Sequence, residues 1–155
     1  MRLCIVGPAY PFRGGIAHHT TLLCRHLGER HSVEAVTFKR LYPSILFPGR
    51  SQTDPSKSAV SFRARPVIDS IDPRTWAGAA QAILASNPDW VIFQWWQPFF
   101  GPCIGSIASR IAGKADIAFI CHNVVPHESM PLARLLSLIA LRRGNGFIVH
   151  SGRDR

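Results

Sequence analysis

Leu3-Cys4-Ile5-Val6-Gly7-Pro8-Ala9-Tyr10-Pro11-Phe12-Arg13-Gly14-Gly15-Ile16 decides the reading of this chain. A short apolar run stops at Gly7, and a loop bearing prolines and glycines follows. From Ile16 the sequence takes a helical period, with Ile16, Thr20, Leu23, Cys24 and Leu27 on one face. Strand, glycine loop and helix form a plan for holding an anion. The free N–H groups of the first helical turn point at the loop, and the aligned peptide dipoles favour negative charge there. Two adjacent glycines let a ligand approach the backbone closely. The loop is neither of the two common phosphate loops. Pro8-Ala9 after Gly7 breaks the dinucleotide fingerprint, and no Lys-Ser or Lys-Thr follows Gly14 or Gly15. An anion cradle and a plain tight turn both fit it.

Outward from this stretch, the pattern alternates. Strands are expected at 3–7, 33–38, 59–63, 90–95, 116–121 and 147–150, and helices at 15–28, 74–86, 101–112 and 131–143. Asp72-Pro73 and Met130-Pro131 read as helix starts, and Gly28 and Gly144 as helix stops. Trp90-Val91-Ile92-Phe93 and Ile117-Ala118-Phe119-Ile120-Cys121 are continuously apolar, which marks strands covered on both faces. The fold class is therefore α/β, a Rossmann-like doubly wound parallel sheet, with strand order 3-2-1-4-5-6 expected from right-handed crossovers. One connection, Lys39 to Ser58, is long, carries Pro43, Pro48 and Pro55, and shows no clear period.

At 155 residues, 46% hydrophobic and 17% charged, the composition is that of a globular domain with its own core. The net charge of +9 points to an anionic partner without choosing among nucleotide, lipid surface and nucleic acid. Nucleic acid ranks last, because the basic residues are spread out and no aromatic RNA motif accompanies them. The four cysteines, Cys4, Cys24, Cys103 and Cys121, form no C-x-x-C pair and sit in apolar patterns, so a reducing cytoplasm is the simplest compartment. The opening apolar run is too short for a secretory signal, and the uncharged stretch Trp90–Ser109 is interrupted by Gln94, Gln97, Pro98, Gly101, Pro102 and Gly105.

The second informative stretch is Cys121-His122-Asn123-Val124-Val125-Pro126-His127-Glu128, at the carboxyl end of an expected strand. Ligands of open parallel sheets bind at that edge, where Gly14-Gly15 also lies. His122 is a candidate for contact with a ligand near neutral pH, with Asn123 to orient it, and satisfying the loop's own backbone is the plain alternative. Glu128 reads first as a charge at the positive end of the next helix. Of His18 and His19 in the first turn of the helix, one is a candidate to face the anion site and the other solvent, and plain helix-surface residues are the commoner reading of both. His150-Ser151 closes the last strand on the same edge. Trp95, Trp96, Phe99 and Phe100 suit either stacking on a sugar or packing under the next helix, the commoner use. Arg134, Arg142 and Arg143 mark a helix otherwise rich in Leu, Ile and Ala, which fits an anionic membrane surface or simple packing with a polar edge. No metal site is expected, since Pro126 breaks the register a zinc motif needs.

Taken together, Cys4-Ile5-Val6-Gly7, Pro11-Phe12-Arg13-Gly14-Gly15-Ile16-Ala17, Asn87-Pro88-Asp89-Trp90 through Trp96, Phe119-Ile120-Cys121-His122-Asn123 and Phe147-Ile148-Val149-His150-Ser151 resemble the amino-terminal half of family-4 glycosyltransferases of the GT-B fold. The resemblance implies that residues 1–155 are an acceptor-side Rossmann-like domain, truncated, with the carboxy-terminal donor-binding domain lying outside the chain. It implies a retaining transfer of a sugar from a nucleoside diphosphate sugar to a hydroxyl acceptor, such as a saccharide or lipid-linked saccharide. It makes Gly14, Gly15 and Ile16 the donor-phosphate contacts and His122 the catalytic-site histidine. Arg13, His19, Trp95, Trp96 and Asn123 are the candidates for the acceptor side. No cofactor beyond the donor and no metal are implied, and the expected partners are a nucleotide sugar, a saccharide or lipid-linked acceptor and an anionic membrane surface, not nucleic acid. The expected location is cytoplasmic, peripheral at the inner face of the plasma membrane. Two other readings stay open: a non-catalytic saccharide- or anion-binding module, and a nucleotide-sugar epimerase of the same two-domain shape.

Overall fold

The computed structural model describes residues 1–43, 45, 51–54, 61–123 and 132–150. The elements run β1 (Arg2–Val6), α1 (Gly15–Gly28), β2 (Ser32–Arg40), β3 (Ala64–Asp69), α2 (Arg74–Leu84), β4 (Trp90–Trp95), α3 (Gly101–Ile111), β5 (Asp116–Cys121), α4 (Ala133–Leu141) and β6 (Gly146–Val149). A single 3-10 turn, Pro98–Phe100, leads into α3. The six strands form one sheet in the order β3-β2-β1-β4-β5-β6, and every pair is parallel. The order reverses direction between β1 and β4. At such a switch point the loops leaving the carboxyl ends diverge and open a crevice.

Strand parity sorts the side chains into two layers. Cys4, Val6, Val36, Phe38, Ile68, Val91, Phe93, Trp95, Ile117 and Phe119 point to the face covered by α2 and α3. Leu3, Ile5, Ala35, Trp90 and Ile92 point to the other face, under Leu23, Cys24 and Leu27 of α1. Burial on both faces is why β4 and β5 read as unbroken apolar runs. Helix α4 packs on α3 at two glycines. A Cβ on Gly105 would lie 2.6 Å from the Ile139 carbonyl oxygen, and one on Gly101 would collide with the Leu136 carbonyl.

The expected third strand is misplaced. The sequence pattern puts it over 59–63, but the ladder begins at Ala64, and residues 61–63 precede it. Only Ile68 of β3 is fully buried, because β3 is an edge strand pairing with β2 alone. An edge tolerates Pro66, which cannot donate to a ladder, and the register shifts just beyond it. The apolar run that suggested a strand ends in Phe62, which packs beside the α1 layer instead. Gly28 is the last residue of α1, whereas Gly144 lies beyond the end of α4 and packs against Phe119 and Phe147. His127, Glu128, the helix start at Met130-Pro131 and Ser151 lie outside the described residues.

Candidate functional site

The glycine loop and His122 share the carboxyl edge of the sheet. Tyr10, Phe12 and Arg13 leave β1, and Gly14 precedes α1 with φ +110° and ψ 163°, a backbone region essentially reserved for glycine. No side chain caps α1, and its first turn holds no acid. The N–H groups of Gly15 and Ile16 are thus among those left for a ligand or water. Gly15 is exposed, and a Cβ there would meet nothing within 4 Å.

A piece of the long connection clamps this loop. Arg13 N–H donates to the Gln52 carbonyl (2.9 Å), and Asp54 N–H donates to the Pro11 carbonyl (2.7 Å). Gln52 is itself held by Tyr42 through two backbone–side-chain bonds of 3.0 and 2.9 Å. The Tyr42 hydroxyl donates to Gln97 Oε1 (3.0 Å) and accepts from Trp96 Nε1–H (3.1 Å). Tyr42 therefore ties the end of β4 to the glycine loop. A cleft of about 120 Å³ lies between Phe12, Arg13 and Gly14 on one side and His18 and Thr21 on the other, with Asp54 at its rim.

Beside the loop sits a cluster of three imidazoles. The Trp95 carbonyl accepts the His122 N–H (2.8 Å), which carries the β4–β5 ladder one residue past Cys121. Parity then turns His122 to the α1 face, as it does Gln94 on β4. The His122 ring packs edge-on against His19 of α1, with centroids 4.8 Å apart, and lies 4.9 Å from the ring of His150 after β6. His122 Nε2 is 2.6 Å from Gln94 Oε1, and His122 Nδ1 is 3.2 Å from His150 Nε2. Gln94 is wholly buried, and its Cγ fills the space over Gly7, where a Cβ would come within 2.5 Å of it.

Chemistry orders these contacts. Burial lowers the His122 pKa to about 4, helped by the neighbouring His19 and His150, so the ring is neutral at pH 7. Gln94 Oε1 only accepts, so His122 carries its proton on Nε2 and Nδ1 accepts from His150 Nε2–H. Burial, and then His150, also lower the pKa of His19. The Gln94 amide lies near enough to His19 to pull its pKa the other way. Even so, His19 Nδ1 and Gln94 Nε2 both lack a hydrogen bond of good geometry.

The other expected site residues fall differently. Trp95 does not reach the site: parity sends it into the core, where it is wholly buried. Trp96 is half-buried between Phe38 and Phe100 with its N–H on Tyr42, so its ring is structural packing at the edge of the cleft network. Of the histidine pair in α1, His19 turns inward and His18 stays exposed. Asn123 is expected to orient His122, but among the described residues Gln94 and His150 hold the nitrogens of that ring. Gln94 was missed. Its signal was a lone amide near the end of a buried apolar strand, on the same parity as Trp90 and Ile92. Among the described residues, no group of three His, Cys, Asp or Glu is placed to hold a metal, and no helix is long and apolar enough to cross a membrane.

No family model matches the chain, and neither does any curated protein. Solved structures do. An alpha-glucosyltransferase in complex with UDP and a 13-mer DNA containing a central A:G mismatch matches with a TM-score of 0.61 at 18% identity, over 98% of this chain and 37% of that one. An alpha-glucosyltransferase in complex with UDP matches with a TM-score of 0.60 at 17% identity, over 97% of this chain and 35% of that one. The fold is a Rossmann-like α/β domain of the kind these enzymes carry. At this identity the likeness shows fold alone and does not single out family 4. This chain spans little more than a third of those enzymes' length. The DNA in the first of them gives no support to the expectation that nucleic acid is not a partner.

Proposed function

We propose that the chain is the acceptor-side domain of a GT-B glycosyltransferase that moves a sugar, with retention, from a nucleoside diphosphate sugar to a hydroxyl acceptor. The observation that carries this reading is one crevice at the sheet's switch point. It brings the uncapped start of α1, with open space over Gly15, beside an imidazole cluster in which burial holds His122 neutral. The backbone N–H groups of Gly15 and Ile16 are suited to the donor's phosphates, in a positioning and electrostatic role. Arg13 and Asn123 stand as candidates for the acceptor side. A donor-binding domain beyond these residues would complete the cleft, and the exposed Leu135 and Leu138 with Arg142 fit a peripheral place at a membrane whose lipid-linked saccharides serve as acceptors.

The test is sugar transfer from UDP-glucose by the whole protein and its Gly15→Val variant, with saccharide, lipid-linked saccharide and duplex DNA as separate acceptors. A valine at residue 15 fits without a clash but stands where the donor would meet the backbone. The expected loss is tenfold or more, on the order of 1.4 kcal/mol of transition-state stabilisation. Equal rates in a well-folded variant would remove the loop from the site. Transfer to DNA alone would replace the saccharide acceptor.

A further inference from the structure

His122 has no ring nitrogen to spare. Nε2 is bonded to Gln94 Oε1, and Nδ1 is bonded to His150 Nε2. A ligand can take a hydrogen bond to this ring only by breaking one of those two. His150 differs. It is exposed at the end of β6, one of its nitrogens is turned inward to His122, and its Nδ1 enters none of the described hydrogen bonds. The relay has a direction fixed from its buried end. Gln94 Oε1 accepts, so His122 donates from Nε2 and accepts at Nδ1, and His150 must donate from Nε2. In the neutral ring that leaves a lone pair on His150 Nδ1, pointing away from His122 across the ring. Among the described residues, the groups that bear on the cluster are His19 from α1, His122 after β5 and Gln94 from β4; no carboxylate acts on His19 or His122 to stabilise a charged ring.

We propose that His150, rather than His122, is the group this edge presents to a ligand. Its Nδ1 accepts a hydrogen bond from a ligand hydroxyl, with His122 and Gln94 as positioning residues that fix its tautomer. The inference rests on the reading of this edge as a saccharide site and deepens it. An imidazole that accepts at its outward nitrogen selects a hydroxyl and repels a phosphate oxygen, which offers only lone pairs of its own. The phosphates are then left to the start of α1, and the two halves of the crevice divide the ligand by chemistry. Gly7 belongs to the same device, since only a residue without a Cβ leaves room for Gln94 beneath His122.

The experiment is side-chain ¹⁵N NMR of the histidines in the 155-residue chain at pH 7.5. Methyl α-glucoside, UDP-glucose and inorganic pyrophosphate are titrated separately. The expected result is a single Nε2–H tautomer for both His122 and His150, and a shift at His150 Nδ1 on adding glucoside or UDP-glucose, with the His122 tautomer unchanged. A response to glucoside marks a free saccharide as the source of the hydroxyl, and a response to UDP-glucose alone marks the donor sugar. In Gln94→Leu the expected change is a mixed His122 tautomer and a several-fold weaker His150 response. The wild-type spectra decide the matter even if that variant does not fold. An Nδ1–H tautomer at His122, protonation of His150 by pyrophosphate without a sugar response, or no response at His150 would each overturn the proposal. Failure of sugar transfer by the whole protein, with the tautomers as expected and the glucoside shift present, would instead sink the transferase reading and leave the hydroxyl contact standing.

Discussion

Two neighbouring glycines do different work in the opening loop. Gly14 holds a backbone conformation that other residues enter at a cost of about 1–3 kcal/mol, while Gly15 has no positive φ and open space above it. Gly14→Ala is therefore expected to lower stability by about that amount in thermal melts, and Gly15→Ala to leave the melt nearly unchanged. Equal melts for the two would show that the loop does not need the conformation at Gly14. His122 gives a second expectation. Its folded pKa, about 4, lies below the unfolded value of about 6.5, so the unfolded chain binds a proton that the folded chain refuses. Stability contributed by neutral His122 is complete above pH 6.5 and declines as pH falls toward 4. The half-buried ring keeps the loss to about 1 kcal/mol after solvent screening. Urea midpoints followed from pH 7.5 to 4 test this, with His122→Asn expected to flatten the slope. A wild-type midpoint independent of pH over that range would show that the ring is not held neutral by the fold.

Among the elements, the α3–α4 contact is the most sensitive to a single added methyl group. Both glycines of α3 sit under the backbone of α4, at Leu136 and Ile139. Close backbone approach cannot relax the way a flexible side chain can, so Gly105→Ala is expected to cost about 1–3 kcal/mol. Chemical denaturation of the variant measures it, and a loss under about 0.5 kcal/mol would mean that α4 is free to shift outward. The neighbouring strands β4 and β5 show the opposite behaviour: they are tied to the candidate site. β4 supplies Gln94 at its end, and β5 supplies His122 one residue past its own, so the pairing of Trp95 with Cys121 sets the spacing of the imidazole relay. The element pattern was readable for β1, β4, β5, α1 and α3, whose apolar periods are strong, with boundaries within two residues. It failed at β3, where an edge position lets a largely exposed segment that bears a proline and two charged residues pair with β2.

For the whole molecule, burial on both faces of the sheet makes the thiols report on global opening. Cys4, Cys24, Cys103 and Cys121 are all buried thiols, and burial pushes the first three up to about 12. Labelling by a thiol reagent at pH 8 is expected to proceed at the rate of unfolding, and any cysteine that labels fast in native buffer would mark a local opening of its layer. The sequence by itself determined the class of fold and its strand order. Continuous apolar strands must be covered on both sides, and right-handed crossovers leave few ways to arrange them. It also put the glycine loop and His122 at one edge, since in a parallel sheet the loops after β1 and β5 leave the same side. Only the tertiary structure decided which side chains stand there. Trp95 and Gln94 are adjacent in the chain, yet parity buries the indole and turns the amide toward the imidazoles. His19, Gln94, His122 and His150 come from four elements, and their meeting depends on strand register and on the room Gly7 leaves. Local pattern fixes which way a residue points within its own strand or helix, but which residue it then faces is a property of the packed sheet.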